Sequence, residues 1–164
     1  MITTPVTSQA QKRGTFILFE GVDRCGKTTQ CSLLLKHLLS LSIAAIAMRF
    51  PERSTSVGQL IDSYLRSGKE VDDRAVHLLF SANRWEASGG LAQHLADGNT
   101  VVCDRYAYSG VAFSSAKTKE DRQYDGFGED LSVDWCMAPD KGLPAPDAVI
   151  FLDLSQEESE KRGG

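Results

Sequence analysis

Apolar residues gather in four short, nearly unbroken runs, at 16–20, 45–50, 100–106 and 148–154. Runs of that length without polar alternation predict parallel strands covered on both faces. Between them the period becomes helical, with Cys31, Leu34, Leu35 and Leu38 at i, i+3, i+4 and i+7. The pattern predicts helices over 27–41, 57–66, 72–97 (interrupted near Gly89-Gly90), 108–116 and 131–137. Strands alternating with helices predict an α/β fold, a doubly wound parallel sheet with helices on both faces. Ligands in such folds collect outside the carboxyl ends of the strands.

Three stretches fall outside the pattern. Residues 1–14 are polar, contain Pro5 and lack an apolar signal core, so they read as a disordered tail before a domain at 15–164. Lys12 and Arg13, without acids nearby, leave a short transit peptide as the lesser alternative. The segment 117–128 is charged, carries two glycines and reads as an inserted surface loop. Its Asp125-Gly-Phe-Gly128 fits D-x-x-G, but no strand precedes it, so it is given no role. After Leu154 there is no apolar residue, so nothing there can cover the last strand and the domain is expected to be cut short.

Composition narrows the class. The 164 residues suit one domain, and 41% apolar with 24% charged residues is a globular balance. No apolar run approaches the roughly 18 residues of a membrane span, so no membrane partner is expected. Cys25, Cys31, Cys103 and Cys136 form no C-x-x-C pair and read as reduced thiols of a cytoplasmic protein, nucleus or mitochondrion remaining open. A net charge of −4 argues against general nucleic-acid binding. Arginines concentrated at element ends instead suggest a small anionic ligand.

Gly21-Val-Asp-Arg-Cys-Gly-Lys-Thr28 completes a G-x-x-x-x-G-K-[ST] phosphate loop between the first predicted strand and helix. In that setting backbone N–H groups and a helix N-terminus converge on a polyphosphate. Gly21 and Gly26 let the backbone close, and Val22, Asp23, Arg24, Cys25 and Thr29 complete the expected nucleotide cradle. Lys27 is expected to reach the β- and γ-phosphates and the Thr28 hydroxyl to ligate Mg²⁺. The implied cofactors are ATP and Mg²⁺.

Asp104, just past a predicted buried strand, holds the Walker-B position beside Mg²⁺, and Arg105 follows it. Arg49 and Arg53 bracket a proline turn at the second strand's end and suit an anion clamp, with Glu52 expected as their ion-pair partner. Phe80 and Arg84, at i and i+4, put an aromatic plate and a forked donor on one helix face. Asp23 would repel the loop's own ligand and should point away from it, toward a second substrate's hydroxyl. Arg24 has the opposite logic; an arginine on a transferring phosphoryl group is worth about 10³–10⁵ in rate. A hydroxyl acceptor would call for a base near the second strand. Cations stand there instead, so the acceptor is read as a nucleoside monophosphate.

Six ordered blocks carry a resemblance: Phe19-Glu-Gly-Val-Asp-Arg24, Arg49-Phe-Pro-Glu-Arg-Ser-Thr55, His77-Leu-Leu-Phe-Ser-Ala-Asn-Arg-Trp-Glu86, Asp104-Arg-Tyr-Ala-Tyr-Ser-Gly-Val-Ala-Phe113, Asp134-Trp-Cys136 and Gly142-Leu-Pro-Ala-Pro-Asp147. They make the chain, from residue 14 to residue 163, resemble the thymidylate kinase family of eukaryotes and some large viruses. The resemblance implies a nucleoside-monophosphate-kinase fold, a homodimer and Mg·ATP-dependent phosphorylation of dTMP. A methyl group in a pocket is worth only about 1–3 kcal/mol, so dUMP is expected as a weaker substrate. It implies that Asp23 meets the deoxyribose 3′-hydroxyl and Arg24 the γ-phosphoryl. Arg53 and Arg105 would hold the acceptor phosphate, with Arg49 and Phe50 beside them. Phe80 would stack on thymine and Arg84 read its O4, while Ser109, Gly110 and Phe113 line the base and sugar. Two departures stand out: the longer 117–128 loop, and an end at the start of the family's lid, where Arg162 matches a first adenine contact. Two competing functions remain, a deoxynucleoside kinase and a GTP-binding switch; the latter wants an N-K-x-D reader that this chain lacks.

Overall fold

The computed structural model describes residues 12–68, 71–117 and 131–161. Four strands, β1 (Phe16–Gly21), β2 (Ala45–Arg49), β3 (Thr100–Asp104) and β4 (Ala148–Leu152), form one parallel sheet in the order β2-β3-β1-β4. The registers Phe19↔Asp104 and Arg49↔Asp104 bring the carboxyl ends of β1, β2 and β3 to one rim.

Among the described residues there are six helices: α1 (Lys27–Ser40), α2 (Ser56–Ser67), α3 (Asp73–Ala96), α4 (Ala107–Ser115), α5 (Val133–Met137) and α6 (Gln156–Lys161). A 3₁₀ turn, Ala138–Asp140, continues from α5. Alternation along β1 and β3 builds a core on each face. Phe16, Leu18, Val101 and Cys103 pack with Phe50, Leu91, Leu95 and Tyr106 on one side. Phe19 and Val102 pack with Cys31 of α1 on the other.

The sequence expectations differ from this in specific places. Helix α3 runs through Gly89-Gly90 without a break. Both glycines are exposed, and a Cβ at either would point into open space, while Leu91 and Leu95 beyond them are buried, so packing overrides the local propensity. Strands expected to 50, 106 and 154 end at Arg49, Asp104 and Leu152; β3 stops because Arg105 turns to φ 69°. Helix α5 starts two residues late because Ser132 caps it, accepting from the Trp135 N–H. Only β3 is buried throughout: β2 is half exposed, and β4 leaves Val149 and Phe151 open at 46% and 64%.

Of the tail expected over 1–14, residues 1–11 lie outside the described residues, while Arg13 and Gly14 are tied to the domain. Arg13 pairs with Asp147 at 2.7 Å, and the Gly14 N–H donates to the Leu95 carbonyl. A Cβ at Gly14 would stand 1.9 Å from the Asn99 carbonyl oxygen. Helix α6 went unforeseen because it has no apolar stripe; its Ser159 hydroxyl donates to the Asp23 carbonyl. Of the 117–128 segment only Lys117 is described, and the D-x-x-G pattern lies outside the described residues.

Candidate active site

The phosphate loop leaves β1 at Gly21, whose φ of 141° suits glycine; a Cβ there would also fall 2.3 Å from the Leu152 carbonyl oxygen. Gly26, at φ 97°, opens α1. Arg24 sits between them at φ 61°, and Arg105 adopts φ 69° at the end of β3. Left-handed backbone at non-glycine residues is costly and collects at functional sites. Lys27 is buried, and its ammonium donates to the Gly21 and Val22 carbonyls at 3.0 and 2.5 Å, with the Cys25 sulfur at 3.5 Å. The cation that was expected to reach phosphate thus lies within the loop, on its carbonyls.

Where α1 begins, the Thr28 hydroxyl donates to Asp104 Oδ2 at 2.5 Å. Asp104 is 3% exposed, and the Arg49 Nε stands 3.8 Å from the same oxygen. A hydroxyl and a carboxylate beside a phosphate loop fit Mg²⁺, which prefers oxygen and keeps water and phosphate ligands rather than an all-protein cage. No group of three or more His, Cys, Asp or Glu residues suited to a metal occurs among the described residues.

Asp23, Arg49, Phe50, Arg53, Phe80, Arg84, Arg105, Ser109, Gly110 and Phe113 all line one cavity of about 450 Å³ beyond this rim. That volume suits a small-molecule ligand. Arg105 is its hub: Nη1 donates to the Ser109 hydroxyl at 3.0 Å and to the Gly21 carbonyl at 3.4 Å, and Nη2 pairs with Asp23. Its guanidinium lies 5.4 Å from the Phe113 ring centroid. The Asp23 carboxylate therefore faces the arginine on the cavity wall. Arg53, about half exposed, pairs with Asp62 at 3.0 Å. Glu52 departs from expectation. Among the described residues it pairs with neither arginine and instead accepts from the Ser54 N–H and hydroxyl at 3.0 and 2.7 Å.

Several braces were missed in the sequence. Glu20, 4% exposed, accepts from the N–H groups of Tyr106 and Ser109 and from the Ser109 hydroxyl, satisfying the first turn of α4. Asn83 accepts from the Glu52 N–H at 2.7 Å and donates to the Glu52 carbonyl at 2.9 Å, pinning the Arg49–Arg53 turn to α3. The Phe50–Pro51 bond in that turn is cis. Asp140 grips Arg84 through Nε at 3.0 Å and Nη2 at 2.7 Å. The one available signal was the acid at Glu20, closing an apolar strand run; nothing local marks Asn83 or Asp140.

His77, 1% exposed, joins three helices: Nε2 meets the Cys136 carbonyl at 2.9 Å and Nδ1 the Ser114 hydroxyl at 2.8 Å. Since a carbonyl only accepts, Nε2 carries the proton and Nδ1 accepts from Ser114. Burial lowers this imidazole below its ordinary value, and the Arg84 cation pushes the same way. Burial pushes the Cys31 thiol up to about 12 and the Cys103 thiol well above its ordinary value, so neither is a nucleophile.

A parallel sheet with a phosphate loop after its first strand, a Walker-B acid on a neighbouring strand and a cationic cavity at the same rim define the nucleoside-monophosphate-kinase class of P-loop proteins. The family model described as thymidylate kinase matches residues 19–164. The Homo sapiens thymidylate kinase is 49% identical over 154 residues, covering 94% of this chain and 68% of its own. The Arabidopsis thaliana thymidylate kinase is 48% identical over 157 residues, covering 96% of this chain and 55% of its own. A solved thymidylate kinase from Candida albicans has a TM-score of 0.82 at 42% identity, covering 93% of this chain and 68% of that one. The chain belongs to the thymidylate kinase family. It spans about half to two thirds of the length of these relatives.

Proposed function

We propose that this protein transfers the γ-phosphoryl group of Mg·ATP to dTMP, and more slowly to dUMP, giving the diphosphate. The observation that carries the reading is the shared rim: the phosphate loop and the Arg105–Asp23 pair touch, and the arginine-lined cavity opens beside them. Two polyanions must meet end to end for this reaction, which needs cations fixed between them.

Gly21 through Thr29 would cradle the donor, with Arg24 and Lys27 neutralising charge on the transferred group. Thr28 and Asp104 would hold Mg²⁺, which when bound polarises the phosphoryl oxygens and screens their charge. Arg53 and Arg105 would present the acceptor phosphate, with Arg49 and Phe50 alongside. Asp23 would take the 3′-hydroxyl, Phe80 and Arg84 the base, and Ser109, Gly110 and Phe113 the sugar and base walls. Arg84 only donates, so thymine or uracil O4 suits it and the cytosine amino group does not. Arg162 lies outside the described residues, and the adenine side is not assigned.

The protein is further read as a cytoplasmic homodimer. Leu60 on α2 and Leu78 on α3, exposed at 60% and 46%, are the apolar side chains that support this reading. No described helix is long and apolar enough to cross a membrane. A coupled ADP-release assay over dTMP, dUMP, dCMP, thymidine and GTP tests the activity. Turnover of dTMP, with dUMP slower, is the expected result. Phosphorylation of thymidine but not dTMP, or tight GTP binding without turnover, overturns it.

A further inference from the structure

The Arg84 guanidinium is oriented from behind. Helix α3 carries Ser81 and Arg84 one turn apart, and both reach Asp140 in the 3₁₀ turn. Asp140 Oδ1 accepts from the Ser81 hydroxyl at 2.7 Å and from Arg84 Nε at 3.0 Å, while Oδ2 accepts from Nη2 at 2.7 Å. Both ion-pair side chains are nearly inaccessible, at 3% and 7% exposure. The turn holding Asp140 is itself pinned to α3, because the Trp85 indole N–H donates to the Pro139 carbonyl at 2.7 Å. A planar fork caught at two nitrogens and buried cannot pivot, so its remaining donors point one way.

Gly110 shows which way. A Cβ built there lies 3.0 Å from Nη2 and 3.1 Å from Nη1, but 3.4 Å from Cζ between them. A point nearer both terminal nitrogens than the central carbon sits beyond the guanidinium's outer edge, not over its face. Arg84 and Gly110 both line the cavity, and a side chain at Gly110 would crowd that outer edge.

We infer that Asp140 is a positioning residue for base selection: by holding Nε and the inner side of Nη2, it aims the outer edge of Arg84 across Gly110 at an acceptor atom on the base. The inference rests on the dTMP kinase reading above and assigns the determinant of its base preference. A guanidinium free to swing would meet either a carbonyl or, through water, an amino group. A fixed donor edge rewards only the carbonyl and leaves a cytosine amino group facing N–H hydrogens.

Asp140→Asn tests it, because the amide is isosteric but lacks the charge and one acceptor. Steady-state kinetics and equilibrium binding of dTMP and dCMP are measured on wild type and variant, with a thermal melt on each. The expected result is a KM and Kd for dTMP raised about tenfold or more, kcat within about threefold, and a dTMP-over-dCMP preference reduced by about the same factor, as for a misaimed charged hydrogen bond. A residue that merely holds the fold together would lower the melting temperature and the active fraction, dropping kcat for every monophosphate at unchanged KM and preference; that pattern overturns the assignment. Ser81→Ala, which frees one oxygen of Asp140 without touching the charge, decides the matter should Asp140→Asn fail to fold. A raised KM for dTMP at constant kcat supports the assignment, and no change overturns it. Wild type that neither binds nor phosphorylates dTMP defeats the activity reading and this inference together. Turnover of dTMP with an unaltered Asp140→Asn preference defeats this inference alone.

Discussion

The Thr28 hydroxyl stands 2.5 Å from the Asp104 carboxylate, tying the first turn of α1 to the carboxyl end of β3. Two oxygens on separate elements are thereby held at the mouth of the phosphate loop, where a divalent cation would share them with phosphate and water. Asp104→Asn keeps the shape and removes the single carboxylate charge that these two side chains offer that ion. Its kcat should fall about 10²-fold or more, with a raised Mg²⁺ requirement and a KM for dTMP changed much less. Titrating Mg²⁺ at saturating nucleotide checks this; an unchanged Mg²⁺ dependence rules out Asp104 as part of the metal site.

Arg105 meets Asp23 as well as Ser109 and the Gly21 carbonyl, so its cation is fixed between loop and cavity. Arg105→Met removes that charge while keeping most of the stem. A loss in kcat/KM of about 10³-fold is expected, since the acceptor's repulsion from the donor is no longer screened. Asp23→Asn should act on sugar recognition instead, raising KM for dTMP while leaving the KM for ATP nearly constant. Measuring both constants separates the two roles, and an equal rise in both KM values for Asp23→Asn contradicts its assignment to the second substrate.

The sheet, its parallel order and the loop were legible because buried parallel strands are written as unbroken apolar runs and the phosphate loop has fixed spacing. The cavity wall was legible where a side chain has few uses: Arg49, Arg53 and Arg84 stand at element ends or one turn from an aromatic, and all reach the same cavity. Glu20, Asn83 and Asp140 were not legible as braces, because their partners are 86, 31 and 56 residues away and no local pattern pairs them. Glu52 misled for the converse reason: adjacency to two arginines suggested an ion pair, yet its nearest donors belong to Ser54. Gly89-Gly90 misled because helix propensity is weak beside the burial of Leu91 and Leu95.

Burial sets a pH dependence through His77. Its folded value lies below the ordinary 6.5, with Arg84 adding to that shift while Asp140 and the Cys136 carbonyl oppose it. The unfolded chain therefore binds the proton first as pH falls, and stability from the neutral ring is complete above about 6.5 and declines below it. Urea midpoints should drop between about pH 7.5 and pH 5.5, and that drop should shrink in His77→Gln even though the variant is less stable at both. The same slope in wild type and variant would assign the pH effect to other groups.

Gly58 opens α2 directly against the strand-β2 turn. A Cβ there would stand 1.8 Å from the Glu52 carbonyl oxygen and 2.8 Å from the Arg53 Cα. Both neighbours are backbone, and Asn83 already holds Glu52 from the other side through both its N–H and its carbonyl. The helix start must then move away from the turn, or the turn must move toward the cavity. Gly58→Ala should destabilise the fold by about 1–3 kcal/mol, read from denaturant midpoints. Because the displaced segment carries Arg53, KM for dTMP should also rise while KM for ATP holds. A variant with wild-type stability would mean that α2 and the turn separate freely, and that Arg53 owes its place in the cavity wall to Asp62 rather than to this contact.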